Sequence, residues 1–214
     1  MFGNIDNMCK SIQDSISNME CKQCILLGIM GMARTVGLVK YIATHNEFQA
    51  ISVFDTYIWG GIKKLYNDSG INMKISEGED TCNALLLILQ EEDYKVTNQQ
   101  DEILMGIAYL LIENWYYFIG MLSLNIDNME SKRMARFLEV PSELIEEYLC
   151  CLYDVSSPSD KRIKEMQNDD MVKAELDAME DDIKFVRKPH GYNDVEQRVN
   201  KYMRYKFWEE IYGV

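Results

Sequence analysis

Apolar residues recur at intervals of three and four along most of this chain, and this spacing constrains its fold more than any other feature. Ile25, Ile29, Met32 and Val36 form one such stripe, which is typical of a helix with a buried face. Only residues 72–77 and 93–97 could form short strands. The sequence therefore predicts an all-α fold, a bundle of about eight to nine helices.

One segment, residues 103–126, is apolar on nearly all sides and carries a single charge, Glu113. Its length would suit a bilayer span. However, Asn114 and Asn125 interrupt it, and no basic flank sets an orientation. A helix that is apolar all round is also what the middle of a bundle requires. We therefore predict a central apolar helix over roughly residues 99–124 and no membrane partner.

The length of 214 residues fits one domain, and the hydrophobic content of 47% excludes a disordered chain. We predict a single helical domain over residues 1–214, or one with a C-terminal sub-lobe over 156–214. The first residues show no basic segment followed by an apolar run, so we expect a cytoplasmic protein with reduced thiols.

The charge of the chain limits the classes of partner that it can bind. The chain has 35 acidic and 22 basic residues, a net charge of -13, which argues against nucleic acid and anionic membranes as partners. The charge is also uneven. Residues 139–182 contain 14 acids and 4 bases, whereas residues 183–214 contain 4 acids and 7 bases. A negative face of this kind favours association with a basic protein.

Seven carboxylates of the acidic segment fall on or beside one predicted helix. They are Asp169, Asp170, Glu175, Asp177, Glu180, Asp181 and Asp182. They could form a solvated helix face, or bind magnesium and a diphosphate, or recognise a partner. Metal-dependent chemistry would need a second carboxylate motif facing the first, and neither candidate, Asp101-Glu102 or Glu146-Glu147, has metal-binding spacing. We predict that the seven residues form a partner-binding surface.

Other residues that could bind a metal or act in catalysis lack the partner residues that these functions need. The thiols of Cys21 and Cys24 have metal-ligand spacing, but a structural zinc site requires four ligands and no suitable second pair is present. The chain has two histidines, His45 and His190, and its sequence shows no nucleophile elbow or phosphate-binding glycine loop that would support catalysis by either. We therefore predict no catalytic residues, no metal site, no cofactor and no enzymatic activity.

Several short segments of the first half resemble a known family. They are Met32-Ala33-Arg34, Tyr41, Asp55-Thr56-Tyr57-Ile58-Trp59, Ser76-Glu77-Gly78-Glu79-Asp80 and Cys82-Asn83-Ala84-Leu85. Over residues 15–120 they resemble the YjaG-like family, small helical bacterial proteins of unknown function. Helical proteins of this general type look like the immunity proteins encoded beside bacterial polymorphic toxins. The resemblance implies a toxin domain with a basic face as the partner, and it supplies no catalytic residues.

Within that resemblance, Arg34, Asp55 and Trp59 form a candidate cluster. Asp55 and Trp59 are four residues apart on one helix face and could meet Arg34 on the preceding antiparallel helix. We interpret the trio as a structural brace, with a ligand site as the other reading. The leading hypothesis is thus a non-enzymatic inhibitor of a protein partner. The alternatives are a helical enzyme or small-ligand binder with a cavity at this trio, and a homo-oligomer.

Overall fold

The structure, a computed structural model, describes residues 14–15, 19–45, 52–67, 75–90, 99–123 and 170–204. These residues form six helices and contain no strand, which confirms the all-α prediction. The helices are α1 (Cys21–His45), α2 (Ser52–Asn67), α3 (Ile75–Gln90), α4 (Gln99–Ser123), α5 (Asp170–Val186) and α6 (Tyr192–Met203).

The larger count of about eight to nine helices is not supported by the described part of the chain. The helices predicted to follow Pro141 and Pro158 lie outside the described residues, as do Cys150 and Cys151. The choice between one domain and a domain with a sub-lobe over 156–214 stays a prediction.

Helix α1 lies at the centre of the described helices. It packs against α2, α4, α5 and α6, and buried side chains occupy every side of it between residues 24 and 36. The apolar helix predicted over residues 99–124 is present as α4, but it packs mainly against α3 and leaves Tyr109 and Tyr117 partly exposed. A helix that contacts four others needs buried side chains on all its sides. In α1 this condition is met from residue 24 to residue 36.

Two glycines lie where α1, α2 and α4 meet, and one of them permits an unusually close approach. A Cβ atom on Gly28 would lie 3.6 Å from Cε2 of Phe118 on α4. A Cβ atom on Gly61 would lie 3.1 Å from Cδ1 of Ile29 and 3.3 Å from Cδ2 of Leu122. The contact at Gly28 is an ordinary van der Waals distance, whereas those at Gly61 are tighter, so glycine at position 61 permits the separation of α2 from α1 and α4.

Helix α3 begins six residues earlier than the sequence suggests. Residues 72–80 are predicted as a loop with Asp80 as the helix cap, but α3 begins at Ile75. Glu77 lies in the first turn, where a carboxylate stabilises the positive end of the helix dipole, and its carbonyl accepts a hydrogen bond of 2.7 Å from Thr81 Oγ1. Gly78 looks like a helix breaker in the sequence, yet it lies inside α3 against the ring of Tyr57.

The Gly78→Ala variant is expected to be less stable than the wild type by about 1–2 kcal/mol, because overpacking outweighs the roughly 1 kcal/mol gain in helix propensity. A Cβ atom at this position would lie 2.5 Å from Cζ of Tyr57. The Tyr57 side chain is 3% exposed and has little room to move away. Urea unfolding followed by circular dichroism measures the change.

The matched control is Gly31→Ala, at another buried helix position. A Cβ atom there would meet only Nη2 of Arg34, at 4.0 Å. This variant should be stabilised by about 0.5–1 kcal/mol, since it gains propensity without a clash. Equal effects of the two substitutions would contradict the packing of Tyr57 on Gly78.

Helices α5 and α6 form a helix–turn–helix at residues 170–204. The stripe Val172, Leu176, Met179, Ile183 and Val186 predicts α5, and the structure confirms a helix there. The start of α6 differs from the prediction. The spacing of Asn193 and Glu196 predicts that these two residues cap the helix. In the structure α6 begins at Tyr192, and Asp194 Oδ2 accepts a hydrogen bond from the Gly191 N–H at 2.8 Å.

No helix in the described ranges is both long enough and apolar enough to cross a membrane.

Candidate functional site

A buried arginine on α1 links this helix to helix α5 in the C-terminal part of the chain. Arg34 is 5% exposed, so its guanidinium cannot reach water and needs partners inside the protein. Its Nε atom donates to Glu175 Oε1 at 2.7 Å, and its Nη1 atom donates to Asp182 Oδ2. Both acceptors belong to α5, so the arginine joins α1 to α5.

Asp182 collects further donors from α6. Its Oδ1 atom accepts hydrogen bonds from Arg198 Nε at 2.6 Å and from the Tyr202 hydroxyl at 2.7 Å. Asp182 is 2% exposed, while Arg198 is 23% exposed and reaches the surface. One carboxylate therefore holds three helices together. We call Arg34, Glu175, Asp182, Arg198 and Tyr202 the ionic network.

Aromatic faces complete the surroundings of the two guanidinium groups. The Arg34 Cζ atom lies 5.1 Å from the centre of the Tyr202 ring. The Arg198 Cζ atom lies 5.0 Å from the Phe185 ring and 5.5 Å from the Tyr202 ring. Such stacking stabilises a guanidinium that has lost part of its hydration.

The network contains two cations and two carboxylates, and burial together with neighbouring charges shifts the pKa values of Arg34, Glu175 and Tyr202. Burial opposes the charge on Arg34, but Glu175 and Asp182 outweigh it and raise the pKa of the guanidinium. Burial raises the pKa of Glu175, and the nearby Asp182 adds to this rise while Arg34 opposes it. Burial also raises the pKa of Tyr202, as does its bond to Asp182, so its hydroxyl stays a donor.

Burial of Glu175 and Asp182 corrects one part of the predicted acidic surface. Both were assigned to partner binding, but they are 4% and 2% exposed and already bonded to arginine. They lie on the inner face of α5 together with Met179 and Val186, at the spacing of a buried helix stripe. They are therefore not available to a partner.

The other described carboxylates of the segment do face outward. Asp170, Asp177, Glu180 and Asp181 are all exposed, and we call them the acidic face. Two lysines of the same helix partly offset them. Lys184 Nζ lies 3.0 Å from Glu180 Oε2 and 3.8 Å from Asp181 Oδ1, and Lys173 Nζ lies 3.7 Å from Asp170 Oδ1. Asp169 lies outside the described residues.

The structure does not bring Arg34 together with Asp55 and Trp59. Asp55 Oδ2 instead pairs with Lys40 Nζ at 2.6 Å, and Trp59 is half-buried elsewhere on α2. Arg34 and Lys40 are six residues apart and so point about 120° apart around the α1 axis. The face of α1 that meets α2 near Asp55 therefore carries Lys40, and Arg34 points to α5.

Sequence reasoning missed the α6 members of the network. Arg198 and Tyr202 are four residues apart and share a face of α6 with Val195 and Val199 nearby. A signal was present in α5, because Glu175 and Asp182 are seven residues apart and so lie on one face. Their partner is Arg34, and it could not be recognised from the sequence because it is distant along the chain.

The thiol and imidazole groups of the described residues do not form an assembled site. Cys24 and Cys82 are buried free thiols, and burial raises the pKa of Cys24 to about 11 and that of Cys82 to about 12. Within the described ranges, no three His, Cys, Asp or Glu side chains are grouped so as to hold a metal ion. Such thiols stay protonated near neutral pH and are poor nucleophiles.

Comparison with known proteins identifies a similar fold. The crystal structure of a DUF416 family protein from Shewanella baltica OS155 matches with a TM-score of 0.71. The match covers 89% of this chain and 92% of that chain, at 11% sequence identity. No protein-family model matches the sequence, and no curated protein matches it. At this identity the likeness concerns the fold alone.

Proposed function

We propose that this chain is a non-enzymatic protein that binds a basic protein partner through the acidic face of α5. The observation that carries the proposal is the contrast between Asp181 and Asp182. Asp182 is fixed inside by Arg34, Arg198 and Tyr202, while the neighbouring Asp181 is 67% exposed. The ionic network thus fixes the rotation of α5 and holds the acidic face outward.

A preformed acidic surface supports rapid and selective association. Carboxylates held on a rigid helix attract a basic protein at long range and repel acidic ones. The sequence adds eight acids and three bases over residues 139–169, directly before α5. Residues that precede the helix therefore extend the negative charge along the chain.

The finer proposal is that the partner is a bacterial toxin domain and that binding neutralises it in the cytoplasm. It is supported by the resemblance to the YjaG-like family and to immunity proteins, and by the sign of the charge. A toxin that acts on nucleic acid presents a basic face, which an acidic protein can cover. The alternative of an enzyme or small-ligand binder built on Arg34, Asp55 and Trp59 loses support, because those residues lie apart.

Neutralising the acidic face is expected to slow association with the partner. Proteins that bind to the immobilised chain are identified and produced in purified form. Their rates of association with the chain are then measured at several salt concentrations. The variant Asp177→Asn, Glu180→Gln, Asp181→Asn should lower the association rate for a basic partner by about tenfold at low salt. The difference should shrink as salt is raised.

The control variant Asp80→Lys, Asn83→Lys changes the net charge by the same amount on α3, where both residues are exposed. It should associate nearly as fast as the wild type. Equal rates for wild type and the α5 variant at every salt concentration would contradict the proposal. Light scattering of the chain alone checks whether a homo-oligomer competes for the same surface, and assays of the partner's activity test neutralisation.

A further inference from the structure

A basic cleft lies at the turn between α5 and α6, away from the acidic face. It has a volume of about 310 Å³. Its walls come from residues Glu20 and Lys22 at the start of α1, Tyr66 at the end of α2, and residues 186–190 of the turn. Small-molecule sites commonly begin at about this volume.

Positive charge is concentrated in this cleft although the whole chain has a net charge of -13. Lys22, Arg187 and Lys188 line it and are exposed. Among the described residues, no carboxylate forms an ion pair with any of the three. Glu20 is the acidic residue of the lining, and Asp194 lies close enough to Tyr66 to add to the rise that burial causes in its pKa.

The turn that carries these cations is held in place by several hydrogen bonds. Lys188 N–H donates to Phe185 O at 3.1 Å, and Gln23 Nε2 donates to Val186 O at 3.0 Å. His190 Nδ1 lies 2.6 Å from Lys188 O and so serves as the donor of the ring. A site built on a fixed turn loses little entropy on binding.

Aromatic rings form a further part of the lining. The rings of His190 and Tyr66 lie 6.2 Å apart, and His190 is 5.0 Å from Phe185. Lys22 Nζ lies 4.5 Å from the centre of the Tyr66 ring, and this cation–π contact holds the ammonium beside another residue of the lining. Rings beside cations suit a ligand that has both an anionic group and a flat or apolar part.

We propose that this cleft binds a small phosphate-bearing molecule. The Arg187 guanidinium is a planar donor group that matches phosphate oxygens; its Nη2 atom donates to Ser15 O at 3.5 Å, and its other N–H groups are directed to a ligand in this proposal. Lys22 and Lys188 add positive charge to the lining. Three cations against one lining carboxylate leave an excess of positive charge that a phosphate or diphosphate group neutralises. The cleft includes none of the residues of the acidic face. Phosphate binding can therefore be tested independently of partner binding.

Calorimetric titration of the full chain with pyrophosphate and with AMP tests the site. Saturable binding with one site per chain is expected, with dissociation constants of about 1 mM or lower. The variant Lys22→Gln, Arg187→Gln should weaken binding about tenfold or more. NMR signals of the His190 ring and of the Lys188 amide should shift on titration in the wild type and much less in the variant.

The control variant Lys63→Gln, Lys201→Gln removes two exposed lysines from α2 and α6 outside the cleft. It should bind within about twofold of the wild type. Citrate serves as a carboxylate probe. Tighter binding of citrate than of pyrophosphate, equal weakening by both variants, or no saturation up to about 10 mM would overturn the proposal. If the double variant does not fold, Lys188→Gln alone gives the same comparison.

Discussion

Replacing Arg34 with methionine is expected to lower the free energy of unfolding by about 3–5 kcal/mol, because it leaves two buried carboxylates without their cation. Methionine keeps much of the aliphatic volume, so the loss comes mainly from charge and hydrogen bonding. Glu175 loses the partner at 2.7 Å from its Oε1 atom, and Asp182 keeps its hydrogen bonds to Arg198 and Tyr202. A domain stabilised by about 5–15 kcal/mol would lose a large share of its stability.

The loss should depend on pH in a defined direction. A carboxyl whose pKa is higher in the folded than in the unfolded state stabilises the fold below its unfolded pKa, and this contribution disappears as pH rises through the folded pKa. Burial already raises the pKa of Glu175 above its ordinary value of 4.5, against the opposing charge of Arg34. Without Arg34 the pKa rises further, so the deficit of the variant is largest at neutral pH and shrinks on acidification.

Urea unfolding at about pH 7.5 and about pH 5 measures this dependence. The matched control is Lys63→Met, which removes an exposed cation from α2 and should change stability by less than about 0.5 kcal/mol. A deficit of Arg34→Met below about 1 kcal/mol, or one that grows on acidification, would contradict the ionic network.

The second large effect is expected at Asp182. Its replacement by alanine removes the acceptor shared by Arg34, Arg198 and Tyr202, and should lower the free energy of unfolding by about 3–5 kcal/mol. Arg198 is 23% exposed and can turn to water, which limits the loss. The Tyr202 hydroxyl is 2.7 Å from the missing carboxylate, and it would be left buried without that partner.

Asp181→Ala is the control for this variant, since the two aspartates are neighbours in sequence and differ in burial. Asp181 is 67% exposed and pairs with Lys184 at 3.8 Å, so its removal should cost less than about 0.5 kcal/mol. Similar losses for the two aspartates would show that the inner and outer faces of α5 are not distinguished. Thermal and urea unfolding of both variants give the comparison.

Local features of the fold could be predicted from the sequence because they depend on local spacing. The stripe from Ile25 to Val36 predicts α1, and the stripe from Val172 to Val186 predicts α5. The start of α3 was misplaced, since Gly78 suggests a loop unless one knows that Tyr57 packs against it. The position of α1 at the centre was also missed, because α4 has the longer apolar run in the sequence.

The ionic network could be predicted only in part, for a physical reason. The spacing of Glu175 and Asp182 places them on one face of α5, but their burial depends on a partner 141 and 148 residues away. A single sequence carries no record of that long-range pairing. The sequence places Arg34 in a trio with Asp55 and Trp59 on the neighbouring helix, whereas Arg34 pairs with α5 and Asp55 pairs with Lys40.

The separation of Arg34 from Glu175 also sets the order of events during synthesis. At about 5–20 residues per second, Arg34 is made roughly 7–28 s before Glu175. Throughout that interval the central helix carries a cation whose burial is not yet compensated. The helices from α1 to α4 can collapse on the ribosome but cannot reach their final packing until α5 and α6 have emerged. Nascent chains stalled after residue 123 should therefore remain more sensitive to protease than chains that extend beyond residue 204.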